Sequence, residues 1–134
     1  KGILDSEDAI IASKTGADAI IVSNHGGRQL DGAPSSIKVL PEIVDAVGRK
    51  IEIHIDGGIR SGQDVVKALC LGAKGVYIGR AFLYGLGAMG KKGVFKSLDI
   101  IKNELDKTMA FCGRKNVEDL DKSNLYAEKP YSNY

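Results

Sequence analysis

Residues 6–24 read SEDAIIASKTGADAIIVSN, and residues 62–80 read GQDVVKALCLGAKGVYIGR. The two stretches align at a constant offset, so that Gly16 matches Gly72. Each combines a helical spacing of apolar residues, a closing glycine and a short strand-like run, which is the order of a helix followed by a strand. A repeat of this kind favours a barrel of β/α units over a doubly wound sheet.

Short apolar runs, mostly of isoleucine and valine, recur along the whole chain and alternate with helical spacing. They lie at residues 1–4, 18–23, 51–56 and 74–79, and we expect each to form a strand. A complete (β/α)8 barrel needs about 250 residues, whereas this chain has 134. The sequence therefore predicts an α/β fold that is half of a (β/α)8 TIM barrel.

Glycines and capping residues set the expected ends of the helices between these runs. One helix should open at Asp5 or Ser6, and another at Ser61, where Asp64 has the spacing of a capping box. Glycine closes a helix readily because it adopts a left-handed backbone at little cost. The expected helices run from Asp5 or Ser6 to Gly16, over 36–47, from Ser61 to Gly72, and over about 93–112.

Composition and charge exclude several classes of protein. The chain is 43% hydrophobic and 27% charged, with a formal net charge of +2; because the charges are interspersed, we expect no nucleic-acid partner. Cys70 and Cys112 form no CxxC pair, so we expect buried thiols in a reducing compartment, and no disulfide or metal site. The apolar run ending at Met89 is interrupted by Arg80 and glycines and is too short to span a bilayer. We expect a cytoplasmic protein, with any membrane contact peripheral, at the inner membrane.

The chain begins with the letters KGIL and not with methionine. We therefore expect it to be a piece of a longer polypeptide. In this piece, residues 1–125 would form the carboxyl-terminal half of the barrel and residues 126–134 a polar tail.

Glycine and arginine follow the last two expected strands, in IHIDGGIRSG at 53–62 and VYIGRAF at 76–82. Glycine lets backbone N–H groups approach an anion, arginine adds a forked donor, and a short segment from Ala81 offers a helix N-terminus. A glycine pair alone is more often a tight turn, but two arginine-bearing loops on successive strands favour a phosphate site. Barrel enzymes commonly build such a site after strands seven and eight, so the four expected strands of this chain should be the fifth to the eighth of a barrel. The residues assigned to the site are Gly57, Gly58, Arg60, Gly79 and Arg80.

Asp56 ends the strand that carries Ile51, Ile53 and Ile55. Alternate residues of a barrel strand face the helices and the interior, and the isoleucines belong against the helices, so Asp56 should point inward at the mouth. There it can accept hydrogen bonds from the polyol chain of a phosphorylated cofactor, or else cap the following turn. His54 shares this parity, lies deeper and has no partner at a suitable spacing, so we interpret it as a structural residue of the interior.

The stretch SNHGGRQLDG at 23–32 follows the second expected strand directly. An ordinary polar turn is one explanation, because glycine and asparagine end many strands. Gly26 and Gly27 also permit a tight turn at the mouth of the barrel, which would let His25 and Arg28 converge on one small molecule.

These motifs resemble those of the FMN-dependent α-hydroxy acid dehydrogenases and oxidases, and the resemblance covers nearly the whole chain. DGGIR and GR are similar to the phosphate site of many FMN and nucleotide barrels, whereas SNHGGRQLDG is typical of this one family. The resemblance implies FMN as the cofactor, His25 as the active-site base and Arg28 as the group that binds the substrate carboxylate. It also implies a set of flavin contacts: Lys1 at the N1 and O2 edge, Ser23 at the ring, and Asp56, Gly57, Gly58, Arg60, Gly79 and Arg80 at the ribityl and phosphate groups. For Lys1, the first residue, a solvated terminus is the alternative.

The resemblance further implies oxidation of a short (S)-2-hydroxy acid by the full-length parent. L-lactate, giving pyruvate, is the expected substrate, because YGLGAMG and DKTMAFCG look closer to the bacterial L-lactate dehydrogenases than to the plant-type oxidases. The implied partners are the amino-terminal half of the same barrel, which carries the acid that orients the base, and further copies in a tetramer. The alternative is a non-catalytic half-barrel with residual phosphate or FMN binding. A barrel of the inosine-monophosphate dehydrogenase type would explain DGGIR but would not need HGGR.

Overall fold

A parallel β-sheet lies at the centre of the structure, a computed structural model that describes residues 1–126. Its strands are β1 (Ala19–Val22), β2 (Glu52–Ile55) and β3 (Gly75–Val76), in the order β1-β2-β3. Strands that follow one another in the sequence are therefore neighbours in space, as they are in a β/α barrel. The α/β class is confirmed, whereas half of a closed barrel stays a prediction.

The strand predicted at residues 1–4 is wrong, because this segment makes only a single parallel bridge, from Ile3 to Val22. Gly2 has a φ of 102°, outside the β region, and Asp5 already caps the first helix. Too few extended residues remain between them for a strand. The bridge nevertheless places the segment beside the carboxyl end of β1.

Helices precede and follow the strands in the expected alternation. Four of the helices agree with the predicted ranges to within a few residues, the exception being α4. The polar tail predicted at 126–134 lies outside the described residues, apart from Tyr126. The α-helices of the described part are α1 (Ser6–Ala12), α2 (Ser36–Val47), α3 (Gly62–Cys70), α4 (Arg80–Met89) and α5 (Lys91–Phe111).

Helix α4 is longer than the short segment that the sequence predicts from Ala81. Gly85 and Gly87 lie inside it, and glycine has a low helix propensity, so the local pattern does not indicate a helix of this length. In the structure Gly85 packs directly against Gly93 of α5, and a Cβ on either residue would collide with the backbone of the other. Close packing of the two helices therefore requires the residues that weaken α4 locally.

One face of the sheet forms the hydrophobic core together with the helices. Ile53 and Ile55 of β2 are 2% and 0% exposed and share a core cluster with Leu40 of α2. Glu52 and His54 alternate with them and lie on the opposite, more open face. The structure therefore confirms the prediction that the isoleucines of this strand face the helices and that Glu52 and His54 face the other side of the sheet.

Both cysteines are free thiols. Cys70 is 3% exposed, and burial raises the pKa of its thiol above the usual value. Cys112 caps the end of α5 and is only half-buried, so the prediction of two buried thiols is wrong for this residue. Within residues 1–126 no cluster of His, Cys, Asp and Glu could hold a metal ion, and no helix combines the length and hydropathy of a membrane span.

The N-terminus of α3 is closed by the predicted capping box, and this gives a test of the fold. Ser61 Oγ accepts a hydrogen bond from Asp64 N at 3.2 Å, and the Asp64 carboxylate accepts one from Ser61 N at 3.1 Å. We expect Ser61→Ala in the full-length protein to lower the free energy of unfolding by about 1 kcal/mol, measured by urea denaturation. Ser35→Ala is the matched control, because Ser35 caps α2 without a side-chain hydrogen bond. Equal losses in the two variants would contradict the prediction.

Candidate active site

An open cavity of about 410 Å³ is formed by the segments that follow the strands, together with Lys1 beside the bridge. Because parallel strands end at the same edge of a sheet, residues far apart in the sequence meet there. All the predicted site residues except Ser23 line this one cavity. They are Lys1, His25, Arg28, Asp56, Gly57, Gly58, Arg60, Gly79 and Arg80.

Lys1 connects the segments that follow β1 and β2. Its Nζ donates a hydrogen bond to Ser23 Oγ at 3.0 Å and forms an ion pair with Asp56 Oδ2 at 2.8 Å. Ser23 is 0% exposed, and its Oγ also accepts a hydrogen bond from His25 N at 3.1 Å. Lys1 therefore lines the cavity through these two contacts, although its side chain is 44% exposed. Its contact with a flavin stays a prediction. The contact of Ser23 with a flavin ring stays a prediction, since Ser23 lies outside the cavity lining.

Asp56 retains an unused hydrogen-bond acceptor. Its Oδ1 is buried and has no partner within the described part of the chain, while Oδ2 is paired with Lys1. A buried carboxylate oxygen without a donor is costly, so this atom suits the hydroxyl of a ligand. The carboxylate makes no hydrogen bond to the turn that follows it among the described residues, which disfavours the alternative that Asp56 is a turn cap.

The turn after β1 has an uncommon backbone. His25, Gly26 and Gly27 form a tight turn, closed by a hydrogen bond from Gly27 N to Asn24 O at 3.0 Å, with left-handed φ values of 56°, 73° and 70°. The left-handed region suits glycine but strains histidine, and strain of this kind is retained where the surrounding structure imposes it. The turn places His25 and Arg28 in the lining of the same cavity. Their convergence on one small molecule stays a prediction.

Asn24 and Ser36 hold this turn in place, a role that sequence reasoning missed. Asn24 Oδ1 accepts a hydrogen bond from Gly27 N at 3.1 Å, and its Nδ2 donates to Pro34 O at 3.2 Å. Asn24 N donates to Oγ of the buried Ser36 at 3.2 Å. Gly57 packs against both, since a Cβ there would lie 3.1 Å from Ser36 Oγ and 3.2 Å from Asn24 Oδ1. Asparagine before two glycines is a typical turn signal, but nothing in the sequence indicates Ser36.

Helix α4 begins at the wall of the same cavity. Its N-cap, Gly79, provides no side-chain hydrogen bond to the first amides of the helix, and such free N–H groups attract anions. Arg60 and Arg80 line the same cavity. A Cβ added to Gly26 would lie 4.0 Å from Arg80 Nη2, so Arg80 also reaches the turn that carries His25.

The charged groups of the lining are mostly cationic. Lys1, Arg28, Arg60 and Arg80 contribute positive charge, whereas Asp56 is the one carboxylate among the lining residues. A concave surface with this excess of cations favours an anionic ligand, and arginine is suited to both phosphate and carboxylate.

His54 has partners that the sequence did not predict. Its Nδ1 lies 3.0 Å from Tyr77 Oη, and its Nε2 lies 3.3 Å from Glu52 Oε2. The strand register accounts for the first contact, because His54 pairs with Gly75, two residues before Tyr77. These contacts agree with the interpretation of His54 as a structural residue of the inner face, although its spacing in the sequence did not indicate the two partners.

A sequence model of the FMN-dependent dehydrogenase family matches residues 1–127. The chain belongs to this FMN-dependent dehydrogenase family. An L-lactate dehydrogenase of Caulobacter sp. (strain K31) is 54% identical over 125 residues, and the human 2-hydroxyacid oxidase 1 is 54% identical over 123 residues. A solved structure of mandelate oxidase with 3,3-difluoro-2-hydroxy-3-phenylpropionic acid superposes with a TM-score of 0.88 at 47% identity.

The match to these members of the FMN-dependent dehydrogenase family covers most of this chain but little of theirs. The alignments span 93% and 92% of the chain but 33% of the lactate dehydrogenase and of the human oxidase, and the superposition spans 90% of the chain but 37% of the mandelate oxidase. The chain therefore spans about a third of the length of the relatives it matches. Equal identity to a dehydrogenase and an oxidase leaves the expected likeness to the lactate dehydrogenase branch a prediction.

Asn24 gives a direct test of how the turn is held. Trypsin cleaves after arginine, and Arg28 is exposed in this turn. Asn24→Ala removes the hydrogen bonds to Gly27 N and Pro34 O, so we expect roughly severalfold faster cleavage after Arg28 in the full-length protein, because local opening becomes easier. Limited proteolysis followed by mass spectrometry measures the rate.

Two further variants define the outcome of this experiment. Asn24→Asp keeps the acceptor for Gly27 N and should be cleaved at an intermediate rate. Asn103→Ala, at an exposed position of α5, is the matched control and should behave as the unaltered protein does. Cleavage of Asn24→Ala at the control rate would contradict the assigned role.

Proposed function

We propose that the polypeptide containing this chain oxidises a short (S)-2-hydroxy acid, with L-lactate as the expected substrate and FMN as the cofactor. The observation that carries this proposal is the meeting of His25 and Arg28 with the loops 56–60 and 79–80 around one cavity. A base, a carboxylate-binding group and an anion site at one rim are the parts that such a reaction requires.

The residues of the cavity fit FMN. Asp56 Oδ1 is a buried acceptor that needs a donor, and a ribityl hydroxyl is such a donor. The uncapped N-terminus of α4 and the guanidinium groups of Arg60 and Arg80 suit a phosphate. A Cβ added to Gly58 or to Gly79 would meet nothing within 4 Å. A ligand group therefore has open space to approach the backbone at these two residues. When bound, FMN would accept the two electrons that leave the substrate.

The chain's own side chains would bind the acid and move its proton. Arg28 offers a planar fork to the substrate carboxylate. His25 would take up the proton that leaves the hydroxyl or the Cα of the substrate. Lys1, kept near the site by Ser23 and Asp56, adds a positive charge that would stabilise negative charge on a neighbouring ring.

The rest of the barrel is the proposed partner of this chain. The chain spans 33% of the lactate dehydrogenase that it resembles, and several large apolar side chains of α4 and α5 are exposed, Tyr84 at 75% and Phe95 at 58% among them. Exposed apolar surface of this extent is typical of an interface. We propose that the preceding part of the same polypeptide covers it and completes half of a (β/α)8 barrel to a whole one. We also propose that the full-length protein is a cytoplasmic tetramer.

Residues 1–134 alone should therefore be inactive. Among residues 1–126 no side chain donates or accepts a hydrogen bond at the His25 ring, and a base without an orienting partner is a poor catalyst. The isolated chain would be the non-catalytic fragment with residual phosphate or FMN binding. L-lactate should reduce the flavin of the full-length protein and leave a mixture of the isolated chain and FMN oxidised.

His25 and Arg28 are tested by anaerobic flavin reduction in the full-length protein. We expect His25→Gln to slow reduction by L-lactate by about 10²- to 10⁴-fold while FMN stays bound, because the proton acceptor is lost. Arg28→Lys should mainly raise KM, because an ammonium group replaces the planar fork. Stopped-flow absorbance measures both. Glycolate and mandelate, run in parallel, identify the preferred acid. Unchanged reduction in His25→Gln would exclude its role as the base.

The phosphate site is tested by comparing FMN with riboflavin, which lacks the phosphate. We expect Arg80→Gln to weaken FMN binding by roughly tenfold to a hundredfold, in keeping with the loss of a charge-assisted hydrogen bond. Riboflavin binding should not change. Quenching of flavin fluorescence gives both affinities. Arg49→Gln, at an exposed position outside the cavity lining, is the matched control. Equal weakening of FMN and riboflavin in Arg80→Gln would count against a phosphate contact.

A further inference from the structure

The imidazole ring of His25 lies directly against the backbone of Gly2. A Cβ added to Gly2 would lie 2.7 Å from His25 Cε1 and 3.6 Å from both Nδ1 and Nε2. Real Cβ atoms essentially never approach another heavy atom to less than 3.0 Å. The Cε1 edge of the ring therefore occupies the space that a side chain at position 2 would need, with one ring nitrogen on each side.

The backbone of Gly2 is held at this point from both directions. Gly2 N and Ile3 N donate to Ile21 O at 3.1 Å and 3.3 Å, and Ser23 N donates to Ile3 O at 3.2 Å. These bonds attach the segment to β1. The φ of Gly2 is 102°, a left-handed value that favours glycine.

The histidine is constrained as well. His25 N donates to Ser23 Oγ at 3.1 Å, its φ is 56°, and the next two residues also have left-handed backbones. Its backbone therefore has little freedom to withdraw the ring from Gly2. Rotation of the side chain is the remaining way to avoid a methyl group at position 2, and rotation redirects both ring nitrogens.

Within the described residues, the His25 ring is oriented by steric contact and not by hydrogen bonds. Within residues 1–126 both ring nitrogens of His54 have partners, whereas no side-chain partner is found for those of His25. We propose that Gly2 is a positioning residue, because its lack of a side chain leaves the space that the His25 imidazole occupies. This inference rests on the proposed function, in which His25 is the base. Because neither ring nitrogen has a side-chain partner among residues 1–126, one remains for the substrate proton and the other for an orienting group.

The direct test is Gly2→Ala in the FMN-loaded full-length protein. A displacement of about 1 Å at a reacting group can cost a hundredfold in rate, so we expect flavin reduction by L-lactate to slow by about that factor. KM should change little, because Arg28 is untouched, and FMN should stay bound. The His25 Hε1 resonance, identified by its loss in His25→Gln, should shift in the NMR spectrum of the oxidised protein.

Gly72→Ala is the matched control. Gly72 has a φ of 105°, and a Cβ there would lie 2.8 Å from Val44 Cγ1. The backbone strain and the side-chain collision are therefore similar, but the added methyl group would meet Val44 and not His25. We expect this variant to lose stability while keeping both the reduction rate and the His25 resonance.

A double variant keeps the proposal testable even if Gly2→Ala folds poorly. His25→Ala removes the ring that the new methyl group would meet, so Gly2→Ala should lower Tm less in a His25→Ala background than in the unaltered protein. Gly72→Ala should lower Tm equally in both backgrounds. An equal effect of Gly2→Ala in both, including failure to fold in both, would overturn the proposal.

The proposed function and the positioning role fail in different ways. If the unaltered protein leaves its flavin oxidised with every 2-hydroxy acid, the proposed function is wrong, while the Hε1 shift and the double variant still report the contact. If the unaltered protein is active and Gly2→Ala is equally active with an unshifted resonance, Gly2 has no positioning role.

Discussion

The proposed site depends on the two contacts that the ammonium group of Lys1 makes. This group binds Ser23 Oγ after β1 and Asp56 Oδ2 after β2, so a single side chain connects two loops that the sheet only brings near each other. Ser23 in turn accepts the amide of His25, which extends the connection to the proposed base. The Asp56 carboxylate is 19% exposed and the Lys1 side chain 44% exposed, so solvent and salt still screen part of the interaction.

Glycines give the cavity its shape because several of its walls are backbone. Gly26 and Gly27 turn the chain after β1, and Gly57 packs against Asn24 and Ser36, where a side chain would press on both. Gly2 has the same property towards His25. Residues without side chains therefore determine where the side chains of the proposed site lie. A site built in this way is organised before any ligand arrives, which is the condition for electrostatic stabilisation of a reaction.

Local patterns were sufficient for much of the fold and for naming residues that line one cavity. The capping box at Ser61, the end of α2 at Val47 and the alternation of buried isoleucines in β2 depend on patterns within a few residues of the chain, and the structure has them as predicted. Helix α4 was underestimated because its glycines are explained only by contact with α5. The strand expected at residues 1–4 shrank to one bridge because capping of α1 starts too soon after it.

The sequence by itself determined the α/β alternation, the family and the types of side chain at the site, because strand and helix periodicity and the HGGR and DGGIR motifs are local properties. Only the tertiary structure decided which groups meet. The pairing of Lys1 with Asp56, the contact of His54 with Tyr77 and the support of Asn24 by Ser36 depend on strand register and on loops folding back over the sheet. No spacing along the chain encodes such contacts, since each joins residues brought together by parallel pairing of strands.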